Sequence, residues 1–117
     1  MGRSVRIGVI GAGSATFSLG LVKDLCLTEN LAGSEVAFMD IDAQRLAAVT
    51  RMAHRYTDEV GADLRFEQTT DRAAALRDCD FVINTAMVQS HHHQRDMREL
   101  MEKHGYYYRG VSAGSFY

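Results

Sequence analysis

At 117 residues, 46% hydrophobic and 24% charged, with a formal net charge of −2, the chain has material for one globular domain around a single core. That charge balance excludes a general attraction to nucleic acid or to an anionic membrane, and no apolar run reaches the ~20 residues of a membrane-spanning helix. Cys26 and Cys79 stand far apart without metal-ligand spacing, so they read as reduced thiols and a cytoplasmic protein is expected.

Val5–Ile10 is a short apolar run, broken only by Arg6 and Gly8, as a strand buried on both faces would be. From Ser14 to about Glu29, Phe17, Leu21, Leu25 and Thr28 recur at helical spacing, with Leu19, Val22 and Cys26 widening the stripe. Asn30 and Gly33 supply the stop. Glu35–Asp40 is a second strand ending on an acid. Asp42 then reads as an N-cap, and Leu46, Val49, Met52, Ala53 and Tyr56 trace a helix to Val60 that Gly61 ends.

Leu64–Thr69 alternates apolar and polar, the pattern of a strand nearer a sheet edge. Asp71 caps a short Ala-rich helix, and Asp80–Ala86 is a fourth strand. After a loop at 87–91 a last helix is predicted over 92–104, with Met97, Leu100 and Met101 inward and Gly105 as terminator. The resulting order, β-α-β-α-β-α-β-α, is an α/β class with a Rossmann-like parallel sheet and flanking helices. Four strands are half of a doubly wound sheet, and the aromatic, glycine-rich tail from Tyr106 to Tyr117 supplies no closing element. Residues 1–117 are therefore expected to be the incomplete front half of a larger enzyme.

The chemistry concentrates where the first strand meets the first helix. Gly11 and Gly13 permit a tight turn and a close backbone approach, and the helix that follows presents its N-terminal amides, an arrangement suited to a pyrophosphate. The motif reads G-A-G-S-A-T from Gly11, so Thr16 stands where the common fingerprint has a third glycine or an alanine. The bland alternative is a glycine-rich turn in a sheet that binds nothing. Asp40 closes the second strand, where a carboxylate accepts from the adenosine ribose hydroxyls and repels a 2′-phosphate, favouring NAD over NADP. Its alternative is a helix cap or a solvated acid. Asn84, Thr85 and Ala86 end the fourth strand at the same carboxyl edge, where they could line the nicotinamide ribose or serve the loop's own structure. The His91-His92-His93 run has no matching Cys, Asp or Glu partner, so no metal site is expected in this chain. There is likewise no Ser-His-Asp or Cys-His set.

Taken together, these residues resemble the start of glycoside hydrolase family 4. The marks are Gly11-Ala-Gly-Ser-Ala-Thr-Phe17, Phe38-Met-Asp-Ile-Asp42, Asp80-Phe-Val-Ile-Asn-Thr-Ala86 and the Glu102-Lys-His-Gly-Tyr-Tyr tract. The likeness runs over nearly the whole chain and is nearest the α-glucosidase and α-galacturonidase-like branch. It implies a glycosidase that uses NAD and a divalent metal, usually manganese. The sugar C3 hydroxyl is oxidised, the C2 proton removed by a tyrosine, the glycosidic oxygen eliminated, water added and the ketone reduced again. This family is an exception to the two-carboxylate scheme.

The resemblance carries over Gly11, Gly13, Ser14, Ala15, Thr16 and Phe17 to the phosphates, Asp40 to the ribose, Asn84–Ala86 to the nicotinamide side and His91 to the sugar. The catalytic tyrosine and the metal-binding cysteine and histidine are expected beyond residue 117, so the isolated chain is expected to be inactive. Val88-Gln-Ser-His-His has no arginine until Arg95, which argues for a non-phosphorylated α-glucoside or hexuronide as substrate, because a 6-phosphate would lack a bidentate partner. A homo-oligomer is implied for the full-length protein. The alternatives are a lactate/malate-type dehydrogenase and a nucleotide-binding module without turnover.

Overall fold

A computed structural model describes residues 2–86 and 91–107, with the side chains of 91–94 outside that description. The chain divides into two compact units, 1–86 and 87–117. In the first, β1 (Arg6–Ile10), β2 (Ser34–Met39), β3 (Leu64–Thr69) and β4 (Phe81–Asn84) form one parallel sheet in the order β3-β2-β1-β4. The connections are α1 (Ala15–Cys26), α2 (Ala43–Val60) and α3 (Arg72–Leu76), with a 3-10 turn at Glu29–Leu31 between α1 and β2. The chain winds outward from β1 to β3 and then returns to pair β4 on the other side of β1. That reversal opens a crevice at the carboxyl ends of β1 and β4, the place where such sheets take ligands.

Strand alternation builds the core. Ile7 and Val9, Val36 and Phe38, and Leu64 and Phe66 share one face in register, and Val22, Leu25, Leu46, Val49 and Ala53 bury it. Phe38 and Phe66 pack as a tilted pair with ring centroids 5.3 Å apart. On the opposite face Arg6 begins β1 and pairs with Glu35 of β2, at 3.1 Å, and with Glu67 of β3. The hydrogen bond to Glu67 pushes the Arg6 pKa up, so its charge is held more firmly.

Local signals set the helix ends. Asp42 accepts from the amides of Gln44 and Arg45 at 3.1 and 3.0 Å, and Asp71 from those of Ala73 and Ala74. Gly61 ends α2 in the left-handed region, at φ +67°. Inward faces were less legible. On α1 the buried residues are Ser18, Val22 and Leu25, whereas Phe17 and Leu19 of the expected stripe are exposed. Helical spacing puts Ser18, Val22 and Leu25 in one line and turns Phe17, one residue earlier, about 100° away. The helix also stops at Cys26 rather than near Glu29, with Thr28 turning its hydroxyl back to the Asp24 carbonyl at 2.7 Å. On α2, Leu46, Val49 and Ala53 are buried as expected, Thr50 and Thr57 join them, and Met52 is exposed. The fourth strand ends at Asn84, so Thr85 and Ala86 lie just past it.

The second unit contains α4 (His91–Lys103), closed by Gly105 at φ +82°. Met97 and Met101 are half-buried, while Leu100 of the expected inward set is exposed. The aromatic tail from Tyr108 onward lies outside the described residues.

Candidate functional site

The glycine loop is a backbone crossing. Gly11 has φ +86°, and a Cβ there would lie 2.7 Å from the Ala86 nitrogen, so both conformation and space require glycine. The Gly11 and Ala12 amides both donate to the Met39 carbonyl, at 2.8 and 3.0 Å, which draws the loop across the end of β2. The Gly13 amide donates to Asp40 Oδ2 at 2.8 Å, and a Cβ at Gly13 would lie 2.7 Å from the same oxygen. Asp40 Oδ1 accepts from the Asp42 amide at 2.9 Å. One carboxylate therefore ties the loop to the entry of α2. Each oxygen takes one bond here and has room for another, such as a hydroxyl donor.

The N-terminus of α1 is furnished differently from those of α2 and α3. Its N-cap, Ser14, makes no side-chain cap bond, whereas Asp42 and Asp71 cap α2 and α3. The first intrahelical bond runs from the Ser18 amide to the Ser14 carbonyl at 2.9 Å, so the amides of Ala15, Thr16 and Phe17 precede it and have no partner within the helix. Ala15, Thr16 and Phe17 are exposed, and the helix dipole adds positive potential at that end. Such an end can take an anion. With a carboxylate of spare acceptor capacity held beside it by the Gly13 amide, the donor set fits a pyrophosphate joined to a ribose.

On the β4 side, the Thr85 amide and hydroxyl both donate to the Ile10 carbonyl, at 2.8 and 2.9 Å, and the hydroxyl lies 3.2 Å from that of Gly11. Asn84 Oδ1 accepts from the Ala86 amide at 3.1 Å, which leaves its NH2 group outward of the turn. The loop's own structure thus engages Thr85 and half of the Asn84 amide. The structure brings Gly11, Gly13, Asp40, Thr85 and Ala86 into one cluster at the crevice, with Ser14–Phe17 following directly. The side chain of His91 lies outside the described residues, as do Val88–Ser90.

Sequence reasoning missed Ser18. Its hydroxyl, fully buried, donates to the Ala12 carbonyl at 2.7 Å. The available signal was a polar residue four positions after the cap, on the line of Val22 and Leu25. Both cysteines have local partners: Cys79 Sγ lies 3.1 Å from the Ala75 carbonyl and Cys26 Sγ 3.7 Å from Thr57 Oγ1. Among the described residues no group of three His, Cys, Asp or Glu side chains could hold a metal ion, so no step is routed through a metal here.

The sequence model of the family 4 glycosyl hydrolases matches residues 6–115. The chain is 36% identical over 83 residues to an alpha-galactosidase of Bacillus subtilis (strain 168), covering 71% of this chain and 19% of that protein. It is 35% identical over 80 residues to an alpha-glucosidase of Erwinia rhapontici, covering 68% and 18% respectively. Its fold is similar, with TM-score 0.66 and 26% identity, to a 6-phospho-alpha-glucosidase from gut microorganisms solved in complex with NAD and Mn2+; that likeness covers 87% of this chain and 23% of the other. The chain thus spans about a fifth of the length of the relatives it matches.

Proposed function

The chain belongs to glycosyl hydrolase family 4, and on that premise we propose that it forms the NAD-binding part of a glycosidase. The observation that carries this reading is the junction at Gly13. There the glycine loop meets the Asp40 carboxylate beside a helix N-terminus that no side chain caps. The Ala15, Thr16 and Phe17 amides and the Ser14 hydroxyl receive the pyrophosphate, and Gly11 and Gly13 let the loop pass close to Ala86 and Asp40. Asp40 accepts from the adenosine ribose hydroxyls while keeping the Gly13 amide. Its charge disfavours the 2′-phosphate of NADP. The Asn84 NH2 group, Thr85 and Ala86 border the nicotinamide half.

NAD supplies a temporary hydride acceptor for the sugar C3 hydroxyl, and the chain's own residues hold it in place. The substrate is a non-phosphorylated α-glucoside or hexuronide. Two observations support this. The stretch 88–92 contains no arginine, and Arg95, the first after β4, lies 3.9 Å from Glu99 and 4.0 Å from Asp96 on its own helix. The rest of the protein brings manganese, its ligands and the catalytic base, and the whole works as a cytoplasmic homo-oligomer. Among the described residues no helix is long and apolar enough to cross a membrane. Titration calorimetry on the full-length protein tests the cofactor: NAD should bind in the micromolar range and NADP far more weakly. Failure of both NAD and NADH to bind would sink the reading. Comparing a nitrophenyl α-glucoside with its 6-phosphate tests the substrate.

A further inference from the structure

Gly13 sits between two peptide units whose carbonyls both bond to one residue. The Ser18 hydroxyl takes the Ala12 carbonyl at 2.7 Å, and the Ser18 amide takes the Ser14 carbonyl at 2.9 Å. Because a trans peptide is planar, a carbonyl held on one side aims the amide of the same unit to the other. In the Ala12–Gly13 unit that amide is Gly13's, which Asp40 receives. In the Ser14–Ala15 unit it is Ala15's, the first of the unpartnered donors. Thr16, at the place of the usual third glycine, is exposed. The close approach of helix to sheet falls two residues later, at Ser18, whose exposure is 0%.

We propose that Ser18 is a positioning residue for the dinucleotide loop, its hydroxyl bond to the Ala12 carbonyl doing what the third glycine of the common fingerprint does through its small size. Glycine in that fingerprint lets helix and strand approach closely. Ser18 is small enough to be buried at the same joint, and its hydroxyl reaches back to hold the Ala12–Gly13 unit, whose amide Asp40 receives, next to the open Ala15, Thr16 and Phe17 amides. Without that hydroxyl the buried Ala12 carbonyl loses its partner, and the Ala12–Gly13 unit is released at the end opposite Asp40.

This inference rests on the dinucleotide reading above, and the experiment separates the two. In the full-length protein, Ser18→Ala, Ser18→Cys and Val22→Ala are compared with wild type by calorimetric titration of NAD, ADP and adenosine, each well below its melting temperature. Ser18→Ala should weaken NAD and ADP by a common factor of about tenfold and leave adenosine, which has no phosphate, unchanged. Ser18→Cys, close in shape but a weak donor, should fall between and serves if the alanine variant does not fold. Val22→Ala softens the same helix without touching the loop, so it should lower the melting temperature and keep wild-type NAD affinity. Unchanged NAD affinity in both Ser18 variants, or an equal loss in Val22→Ala, overturns the role of Ser18 while the cofactor reading stands. A wild-type protein that binds neither NAD nor ADP removes both.

Discussion

Asp40 Oδ2 accepts the Gly13 amide at 2.8 Å, so the acid that ends β2 grips the loop that leaves β1 before any ligand arrives. Its second oxygen holds the Asp42 amide at 2.9 Å. An acid read as a ribose ligand is therefore also the brace of the loop beside it, and the two roles are linked.

Asp40→Asn keeps the shape but offers one acceptor oxygen, so its NH2 group must face a backbone donor at Gly13 or Asp42. The expected cost is about 1–3 kcal/mol in NAD affinity. Asp40→Ala, without the carboxylate charge, should also lose discrimination against NADP. Calorimetry with NAD and NADP on both variants measures this. An unchanged NAD/NADP preference in the alanine variant would remove Asp40 from the site.

Gly11→Ala adds backbone strain at φ +86° and a collision with Ala86. Gly61→Ala adds only the strain, since nothing lies within 4 Å of its new Cβ. The second should cost about 1–2 kcal/mol and the first clearly more. Thermal melts of the full-length variants compare them directly, and equal costs would mean that Gly11 and Ala86, just past the ends of β1 and β4, do not pack closely.

Asp42→Ala removes the cap of α2 and should lower stability by about 1 kcal/mol. Ser14→Ala removes no cap bond, so its melting temperature should stay near wild type while NAD binding weakens. Denaturation together with NAD titration separates the two. A melting loss in Ser14→Ala as large as that in Asp42→Ala would contradict the geometry.

Arg6 lies at the opposite end of β1 from the glycine loop, joined to Glu35, Glu67 and the Arg77 carbonyl. Arg6→Met should destabilise the sheet by about 1 kcal/mol, the scale of a partly exposed ion pair, and leave NAD affinity untouched. Urea melts and calorimetry together read the outcome, and a large affinity change would show that the two ends of the strand are coupled.

The 117-residue chain by itself should hydrolyse no glycoside, because the proposed manganese ligands and base belong to the remainder of the protein. Assays of the isolated chain with NAD, manganese and a nitrophenyl α-glucoside check this, and measurable turnover would place the chemistry within these residues.

Where a signal is local, the sequence carried it. The apolar runs that became β1 and β2, the alternation that became β3, the Asp42 and Asp71 caps and the Gly61 stop depend on neighbours within a turn or so, and all of them stand in the structure. The sharp glycine turn was equally plain, because φ and close approach restrict residue type directly. What periodicity left open was the azimuth of a helix. Phe17 and Met52 fit an apolar stripe on paper, yet Ser18 and Thr50 face inward, since helix orientation follows from how the preceding loop is tied down.

By itself, then, the sequence determined the order of elements, the capped starts of α2 and α3, the glycine stop of α2 and the family, because each rests on residue type at short range. Only the tertiary structure decided that Asp40 braces Gly13, that Thr85 bonds to the end of β1, and that Ser18 closes the gap left by the missing glycine. The first two are pairings between residues brought together when β1 inserts between β2 and β4. The third depends on which side of α1 meets the sheet. No spacing along the chain encodes a hydrogen bond that exists only after those strands have paired.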